Sequence, residues 1–461
     1  MSRFKPFPQA LVKQALWEVY AQRERQGGSP PGREFWLKIG REVEVLHEAY
    51  TEREAEFSKG ENPIHGHLGG YQFYYLPRNL FRVAHVLSRL NWRGTADGPP
   101  FPPLVGGRLR IADIGCGSGA FSLAWLGWLG QENLPPLEIA LVDQGRRVLD
   151  WAEDNLRAFA RLYLPQVNLT ISRHTQGVVS FLRENGGDRF SVAGGGMALN
   201  ELGLQDSGRG NHVHRMARSL AGLVTPGGLG LWVEPGTRQG FLNVMALREH
   251  LTEETLVYPC PHGLPCPMKR DRPGHWCHET PPLPMDFYFD QELRDWGGVG
   301  FSMREVNLSG LAFRVNATNE TSRLFQKRPG ARVVSERLPA RGSKSSGKSQ
   351  DKVVMVCTPK GTLEEQPALS LPARTRGWFL DGAEQVPMAG DGPIVSLHPS
   401  QQMGDQPPAR TRPSVKKSNE VKSHKFQKPK GNKNKTGKKS GLGKNKGKPK
   451  WSRKDTNGDT P

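Results

Sequence analysis

The segment RLRIADIGCGSGAF, residues 108–121, constrains the fold of this chain more than any other stretch. An apolar run carries Asp113 near its end. Gly115, Gly117 and Gly119 follow at alternate positions, and helix-forming residues come next. Glycine is required where the backbone takes positive φ or passes close to a ligand. Strand, glycine turn and helix in that order predict one βα unit of a parallel sheet. The pattern recurs downstream. Leu137–Val142 reads as a second strand ending at Asp143. A helix from about Arg146 to Leu164 places Val148, Leu149, Ala152, Leu156 and Phe159 on one side. Later strands are predicted near Phe190–Ala193 and Gly230–Val233. Strands alternating with helices mean an α/β fold, with the sheet covered on both faces.

Upstream, apolar residues recur at helical spacing in three places: Leu11, Ala15, Leu16, Val19 and Tyr20; Val43, Leu46, Ala49 and Tyr50; and Leu80, Val83, Ala84, Leu87 and Leu90. Arg78, Arg82 and Arg89 on the third helix read as a solvated face, with RNA contact the less favoured alternative. The reading divides the chain into an N-terminal helical region (1–93), a core (94–257) entered through a Gly/Pro linker, and a Cys-rich segment (258–285). A small β-rich part (286–381) and a disordered tail (382–461) follow. SMREVNL, LAFRVN, ARVVSE and KVVMVCT are the predicted strands of the β-rich part, and residues 341–352 a loop.

Charge explains the tail. The 461 residues carry 64 Lys and Arg against 45 Asp and Glu, a net +19. From Arg410 to Lys454 there are 18 basic residues and one acidic residue, Glu420. Lysines among Gly, Asn and Pro cannot bury a core. They make a polycation whose binding to phosphates releases counterions. Only Phe426 and Trp451 are aromatic in that stretch, so base stacking contributes little. No apolar run approaches the roughly 20 residues that span a bilayer. The start, MSRFKPFPQALVKQALWEVYAQ, has no secretory pattern. Five cysteines are too few for a secreted disulfide scaffold, and their grouping points to a metal site in a reducing compartment.

The glycine turn with Asp143 ending the next strand is a nucleotide-type pocket, since a carboxylate there accepts both hydroxyl hydrogens of a ribose. A dinucleotide site competes with an S-adenosylmethionine site. Asp113 favours the latter, because an acidic side chain before the glycines can hold the cationic amino-acid end of that cofactor. DIGCGSG resembles the first motif of seven-stranded S-adenosylmethionine-dependent methyltransferases, and VDQ at 142–144 their second. Catalytic residues are not evident. The segment GGGMALNELG replaces the polar-Pro-Pro-aromatic turn of base-methylating enzymes. Its Asn200 and Glu201 are weak candidates for orienting a substrate, and a structural role is the favoured reading. Cys116 reads as a small packed side chain.

Cys260, Cys266 and Cys277 fall in YPCPHGLPCPMKRDRPGHWCHE, where Pro259, Pro261, Pro265 and Pro267 prevent regular structure. Cys357 can complete four ligands, as can His262, His275 or His278. A [4Fe–4S] cluster and a structural zinc both suit such a set, although no C-x2-C zinc knuckle is present.

With these segments in hand, the chain resembles the ribosomal small-subunit methyltransferase-like family of bacteria and mitochondria, the Rsm22 type. The matching segments are YYLPRN (74–79), DIGCGSG, ALNELG (198–203), VEPGTRQGF (233–241), the PCPH–PCP–WCH series (259–278) and VCTPKG (356–361). Many members have Phe where this chain has Glu279. The resemblance implies a seven-stranded (Rossmann-like) methyltransferase sheet with S-adenosylmethionine on Asp113, Gly115, Gly117, Gly119 and Asp143. It also implies a [4Fe–4S] cluster on Cys260, Cys266, Cys277 and Cys357, and an association with the small ribosomal subunit and its RNA. Two roles follow: an RNA methyltransferase, or a non-catalytic assembly factor that keeps the fold as an RNA-binding platform. The compartment is then the bacterial cytoplasm or, alternatively, the mitochondrial matrix, with no membrane partner.

Overall fold

In the computed structural model the predicted βα units sit side by side in one seven-stranded mixed sheet. The structure describes residues 7–395 apart from 25–30, 53–62, 91–101, 131–133, 186, 200–209, 252–254, 261–262, 272–273, 282, 285, 301–305, 317–330, 334–337, 340–351, 359, 361, 368–378, 381–384 and 388–392.

The chain opens with helices α1 (Gln9–Arg23) and α2 (Arg33–Glu52). A short α3 (Leu68–Gly70) and a π-helical turn (Tyr71–Tyr75) lead into α4 (Leu76–Arg89). The alternation then runs β1 (Leu109–Ile114), α5 (Ala120–Leu129), β2 (Leu137–Asp143), α6 (Arg146–Tyr163), β3 (Leu169–Thr175), α7 (Val178–Glu184), β4 (Phe190–Gly196), α8 (Gly210–Gly222), β5 (Val224–Pro235) and α9 (Arg238–Glu249). After β6 (Thr255–Tyr258), α10 (Pro267–Asp271) and α11 (Asp290–Asp295), β7 (Leu308–Arg314) returns to the sheet.

The strand order is β3-β2-β1-β4-β5-β7-β6. The first five strands are parallel, and β7 is antiparallel to both β5 and β6. This is the arrangement of a methyltransferase-like sheet. Alternation along the strands splits the core in two. Ile111, Ile139 and Leu141 join one cluster, under α1, α2, α4, α5 and α6. Ala112, Ile114, Ala140 and Val142 join the other, with α7, α8 and α9. Burial on both faces is why these strands read as continuous apolar runs.

Several expectations need correction. Of the predicted strands SMREVNL and LAFRVN, the second lies largely in β7, which begins at Leu308, whereas residues 302–305 of the first lie outside the described residues. Strand β5 starts six residues before the predicted Gly230 and passes through Pro226 and Gly227. Arg78 is not on a solvated face. It is 4% exposed, and its Nη2 lies 2.8 Å from each carboxylate oxygen of Asp290. Helical periodicity marks a polar position but not the distant carboxylate that buries it.

Farther along, β8 (Ala331–Val333), β9 (Leu338–Pro339), β10 (Lys352–Cys357), β11 (Leu363–Pro367) and β12 (Phe379–Leu380) form a second, five-stranded sheet. A short antiparallel ladder of β13 (Gln385–Pro387) and β14 (Pro393–Val395) lies inside the stretch predicted to be structureless. Val386 and Ile394 are cross-strand partners there, in runs too short for periodicity to register. The Lys-rich tail lies outside the described residues. Among the described residues no helix is long and apolar enough to cross a membrane.

Candidate cofactor site and thiol cavity

Gly115 follows β1 where the strand order reverses between β1 and β4, the place where open parallel sheets bind ligands. The Gly115 and Cys116 amides donate to the Val142 carbonyl at 2.8 and 3.0 Å, which ties the turn to β2. Gly115, Gly117 and Gly119 have φ of +66°, +52° and +94°. A Cβ on Gly115 would stand 2.7 Å from the Ala198 Cβ, so this position is closed to a side chain by both conformation and space. Gly115→Ala is expected to cost about 1–3 kcal/mol of stability and to weaken nucleoside-ligand binding, measurable by denaturant titration and calorimetry. Unchanged stability would show that the turn tolerates a side chain.

Asp143 holds the turn from the next strand. Its Oδ2 accepts the Gly117 N–H at 3.0 Å and its Oδ1 the Gly145 N–H at 2.9 Å. Each oxygen keeps capacity for a ribose hydroxyl. Asp113 is fully buried. Its Oδ2 accepts the Ser122 N–H at 3.1 Å and the Ser122 hydroxyl at 2.7 Å, and among the described residues its Oδ1 has no hydrogen-bond partner. Burial pushes the Asp113 carboxyl up to about 7, against the lowering effect of the Ser122 hydrogen bonds. A buried carboxylate oxygen without a donor is costly unless a donor or cation meets it. Cys116 is 5% exposed, and burial holds its thiol well above the ordinary range, as a packed side chain requires.

Helix α4 lies over the carboxyl end of β4, where Val83 reaches within 3.4 Å of a Cβ built on Gly196. The Asn79 side-chain amide donates to the Tyr71 hydroxyl at 3.2 Å. Arg82 Nη1 donates to Asn79 Oδ1 at 2.7 Å, and Arg82 Nε to the Asn307 carbonyl at 2.9 Å. The Tyr71 hydroxyl stands 3.2 Å from a Cβ built on Gly117, so the Tyr71 end of this row borders the glycine turn. From the sequence Tyr71 had no role, Asn79 entered only through the YYLPRN segment, and Arg82 was expected on a solvated face, with RNA contact the less favoured alternative. The spacing of Arg78 and Arg82 on one helical face was the available signal. On the other side of the turn Met197 takes φ +64° and donates its N–H to Val233, while the Leu199 N–H donates to Glu234 at 2.8 Å. Asn200 and Glu201, the weak catalytic candidates, lie outside the described residues.

The four cysteines predicted as ligands border one cavity of about 30 Å³. Cys260 and Cys266 come from the loop after β6, and Cys277 from the segment before β7. Cys357 ends β10, 80 positions after Cys277. The remaining wall is apolar: Phe241, Val244 and Met245 of α9, with Met268. His278 also borders the cavity, His275 is exposed, and His262 lies outside the described residues. None of the four is in a disulfide, and burial, with the nearby Cys260 and Cys277, pushes the Cys266 thiol up to about 11. Among the described residues no three metal-ligating groups converge closely enough to mark the seat of a single ion. The segment is anchored on both sides. Trp276 Nε1 donates to the Gly236 carbonyl at 2.8 Å, and the Ser309 hydroxyl to the Cys277 carbonyl at 3.1 Å. Glu279, the departure from the family pattern, is 2% exposed, exchanges backbone hydrogen bonds with Leu308, and lies 2.7 Å from His85 Nε2.

Residues 198–293 match a family model described as mitochondrial small ribosomal subunit Rsm22. No curated protein matches the chain. Solved structures that match this chain include CrArsM, an arsenic(III) S-adenosylmethionine methyltransferase from Chlamydomonas reinhardtii (13% identity, TM-score 0.27, covering 57% of this chain and 83% of that one). Others are a precorrin-6y C5,15-methyltransferase from Geobacter metallireducens (14%, 0.29, 50% and 86%) and Aeropyrum pernix fibrillarin with bound S-adenosylmethionine (11%, 0.25, 50% and 76%). The fold assignment rests on the strand order of this chain itself. From the end of β4, through the cysteine segment and into α11, the chain carries the pattern of the Rsm22 family on a methyltransferase-like sheet.

Proposed function

We propose that this chain is an S-adenosylmethionine-binding, methyltransferase-like factor of the small ribosomal subunit, acting on its RNA or in its assembly. The observation that carries the reading is the glycine turn at the β1/β4 switch point, flanked by Asp113 and Asp143, in a chain whose residues 198–293 match the Rsm22 model. That model's description makes the mitochondrial matrix the favoured one of the two compartments expected. The cofactor supplies an electrophilic methyl group on a sulfonium. The protein's part in such an in-line displacement is positioning. Asp143 takes the ribose hydroxyls and Asp113 the ammonium, while the turn after β4 borders the acceptor. The lysine-rich tail adds salt-dependent affinity for RNA phosphates.

The protonation of Asp113 gives a test in pH. With its carboxyl at about 7 in the fold and near 3.8 when unfolded, the folded state binds the extra proton between those values. Stability therefore falls as pH rises through that window. A cationic ligand reverses the preference for the neutral form. Affinity for S-adenosylmethionine is expected to climb up to about tenfold per unit below pH 7 and to level off above it. Asp113→Asn removes the slope. A flat profile in the wild type, read by calorimetry, overturns this role.

The thiol cavity is read as the seat of an iron–sulfur cluster on Cys260, Cys266, Cys277 and Cys357. Four thiols spread around a cavity of about 30 Å³ suit a group with volume of its own better than a single zinc ion, which draws sulfurs to about 2.3 Å. The cluster's contribution would be to cross-link the loop after β6, the segment before β7 and the end of β10. A non-catalytic assembly role is favoured by one observation, the segment GGGMALNE after β4 in place of a base-binding turn. Mapping ribosomal RNA methylation in a deletion strain separates the two. A missing methyl group supports catalysis, and an unchanged profile with defective small subunits supports the assembly role.

A further inference from the structure

Helix α8 presents a row of cations that nothing in its surroundings answers. Its apolar residues Val213, Met216, Ala217, Leu220 and Ala221 recur at helical spacing and are buried in the core shared with α7 and α9. His214, Arg215, Arg218 and Ser219 stand exposed on the opposite face. The 13 residues of the helix include no acidic residue. Among the described residues the side chains of Arg215 and Arg218 make no ion pair or hydrogen bond. Around α6, by contrast, exposed guanidinium groups are matched: Arg157 by Glu153 at 2.8 Å, Arg161 by Glu18 at 2.6 Å and Arg173 by Glu153 at 3.2 Å. The dipole of α8 does not use the charge either. Its influence falls off within the last turn, and that turn holds no basic residue. Gly222 ends the same stripe, four residues after Arg218, and there Arg189 Nη1 comes within 3.9 Å of a Cβ built on that glycine. Arg189, which is also exposed, thus extends the row.

Such a row is complementary to a chain of phosphates, because guanidinium forks pair with phosphate oxygens and stay charged. Arg215 and Arg218 lie about 4.5 Å apart along the helix axis, close enough for long side chains to engage one strand. The helix carries no Phe, Tyr or Trp, so its exposed face offers bases no stacking platform. Contacts of this kind position a nucleic acid and do not read its sequence. The direction of the helix fits a guiding role. Phe190, the first residue of β4, donates its N–H to the Leu223 carbonyl just past α8 at 2.8 Å. The helix therefore runs back from the carboxyl edge of the sheet, where the turn after β4 lies. We infer that Arg215, Arg218 and Arg189 seat the phosphate backbone of the ribosomal RNA and lead it toward that edge. This rests on the RNA part of the reading above and gives the folded part of the chain a docking face separate from the lysine-rich tail. An acidic protein surface is the competing polyanion. The face of His214, Arg215, Arg218 and Ser219 has no apolar or aromatic anchor of the kind that centres a protein interface, which favours RNA.

Two measurements on the full-length protein test the inference. In the first, binding to small-subunit ribosomal RNA is followed against salt. The proteins compared are the wild type, the double variant Arg215→Gln/Arg218→Gln, its lysine counterpart Arg215→Lys/Arg218→Lys, and Arg157→Gln on α6. Each phosphate contact removed lowers the slope of log affinity against log salt by about 0.7–0.9, so the glutamine pair is expected to lose about 1.4–1.8. The lysine pair keeps both charges and should retain most of the slope. Arg157, already matched by Glu153, should leave it unchanged when replaced. All three positions are exposed, so the melting temperatures should stay together and separate a lost contact from a lost fold. In the second measurement a photo-crosslinking phenylalanine analogue replaces Ser219, and what it captures in cells is identified. Small-subunit ribosomal RNA is the expected product, and its capture should fall away in the glutamine pair. A slope that the glutamine pair leaves unchanged, or one that Arg157→Gln lowers equally, overturns the inference while RNA binding itself stands. Capture of an acidic protein in place of RNA overturns the choice of partner. A wild type that binds no RNA overturns the RNA reading and this inference with it. Arg189→Gln is expected to lower the slope by about a further 0.7–0.9, and a wild-type slope there removes Arg189 from the row.

Discussion

Asp290→Asn is expected to lower the stability of this protein by about 3–5 kcal/mol. Arg78 and Asp290 are 4% and 3% exposed. The guanidinium lies 3.7 Å from the centre of the Tyr74 ring and 5.4 Å from that of Phe287, and its Nη1 donates to the Tyr74 carbonyl at 3.2 Å. Burial raises the Asp290 carboxyl above the ordinary range despite the opposing pull of Arg78. Desolvation therefore outweighs the attraction as seen from Asp290. Such a pair contributes little net stability while intact, yet removing one charge strands the other. Arg78→Met combined with Asp290→Leu is accordingly expected to lose much less than the sum of the single changes. Denaturant unfolding of the four proteins reads this directly. Additive losses, or a loss below about 1 kcal/mol for Asp290→Asn, would sink the account. The pair joins α4 to α11. Its integrity sets the placement of the helix that carries Asn79, whose amide reaches the Tyr71 hydroxyl beside the glycine turn.

The second large effect concerns the cavity of four thiols. Protein purified without oxygen is expected to be brown, with iron and inorganic sulfide present. Cys277→Ser should remove most of the metal and sharply lower the melting temperature, because metal binding at a structural thiolate site is folding free energy. Cys116→Ser, whose thiol is buried in the glycine turn away from this cavity, should retain full metal. Metal analysis and melting curves decide the matter. A colourless protein with one zinc ion would reject iron. A variant with full metal after Cys277→Ser would remove that residue from the ligand set. Burial pushes the Cys266 thiol up to about 11, which favours its protonated form at neutral pH. A cation that stabilises the thiolates should therefore release protons on binding.

Much of this molecule follows from local chemistry. The glycines at 115, 117 and 119 mark a turn because only glycine adopts positive φ there without strain, and all three do so. The apolar spacing of Leu11 to Tyr20 and of Leu80 to Leu90 states helices, since each buried residue recurs once per turn. Asp143 ends its strand as expected, and its carboxylate meets the turn that the neighbouring strand supplies. These features were legible because the residues that define them are close in sequence or belong to adjacent, parallel strands.

What resisted reading from residues alone involves partners far apart in the chain. Arg78 meets Asp290 across 212 positions, Arg82 meets Asn307 across 225, and His85 meets Glu279 across 194. Charge on a helix face says only that a group needs a partner or water. Strand β7 enters the sheet between β5 and β6, reversing direction, because that slot buries both of its faces. The sequence alone specified the turn, the alternation and the thiols. The tertiary structure decided which buried charges are compensated and brought Cys357 to the cavity of the other three. Hydrogen bonding and backbone conformation are set within a few residues, whereas burial and charge pairing are set by whichever surfaces the folded chain brings together.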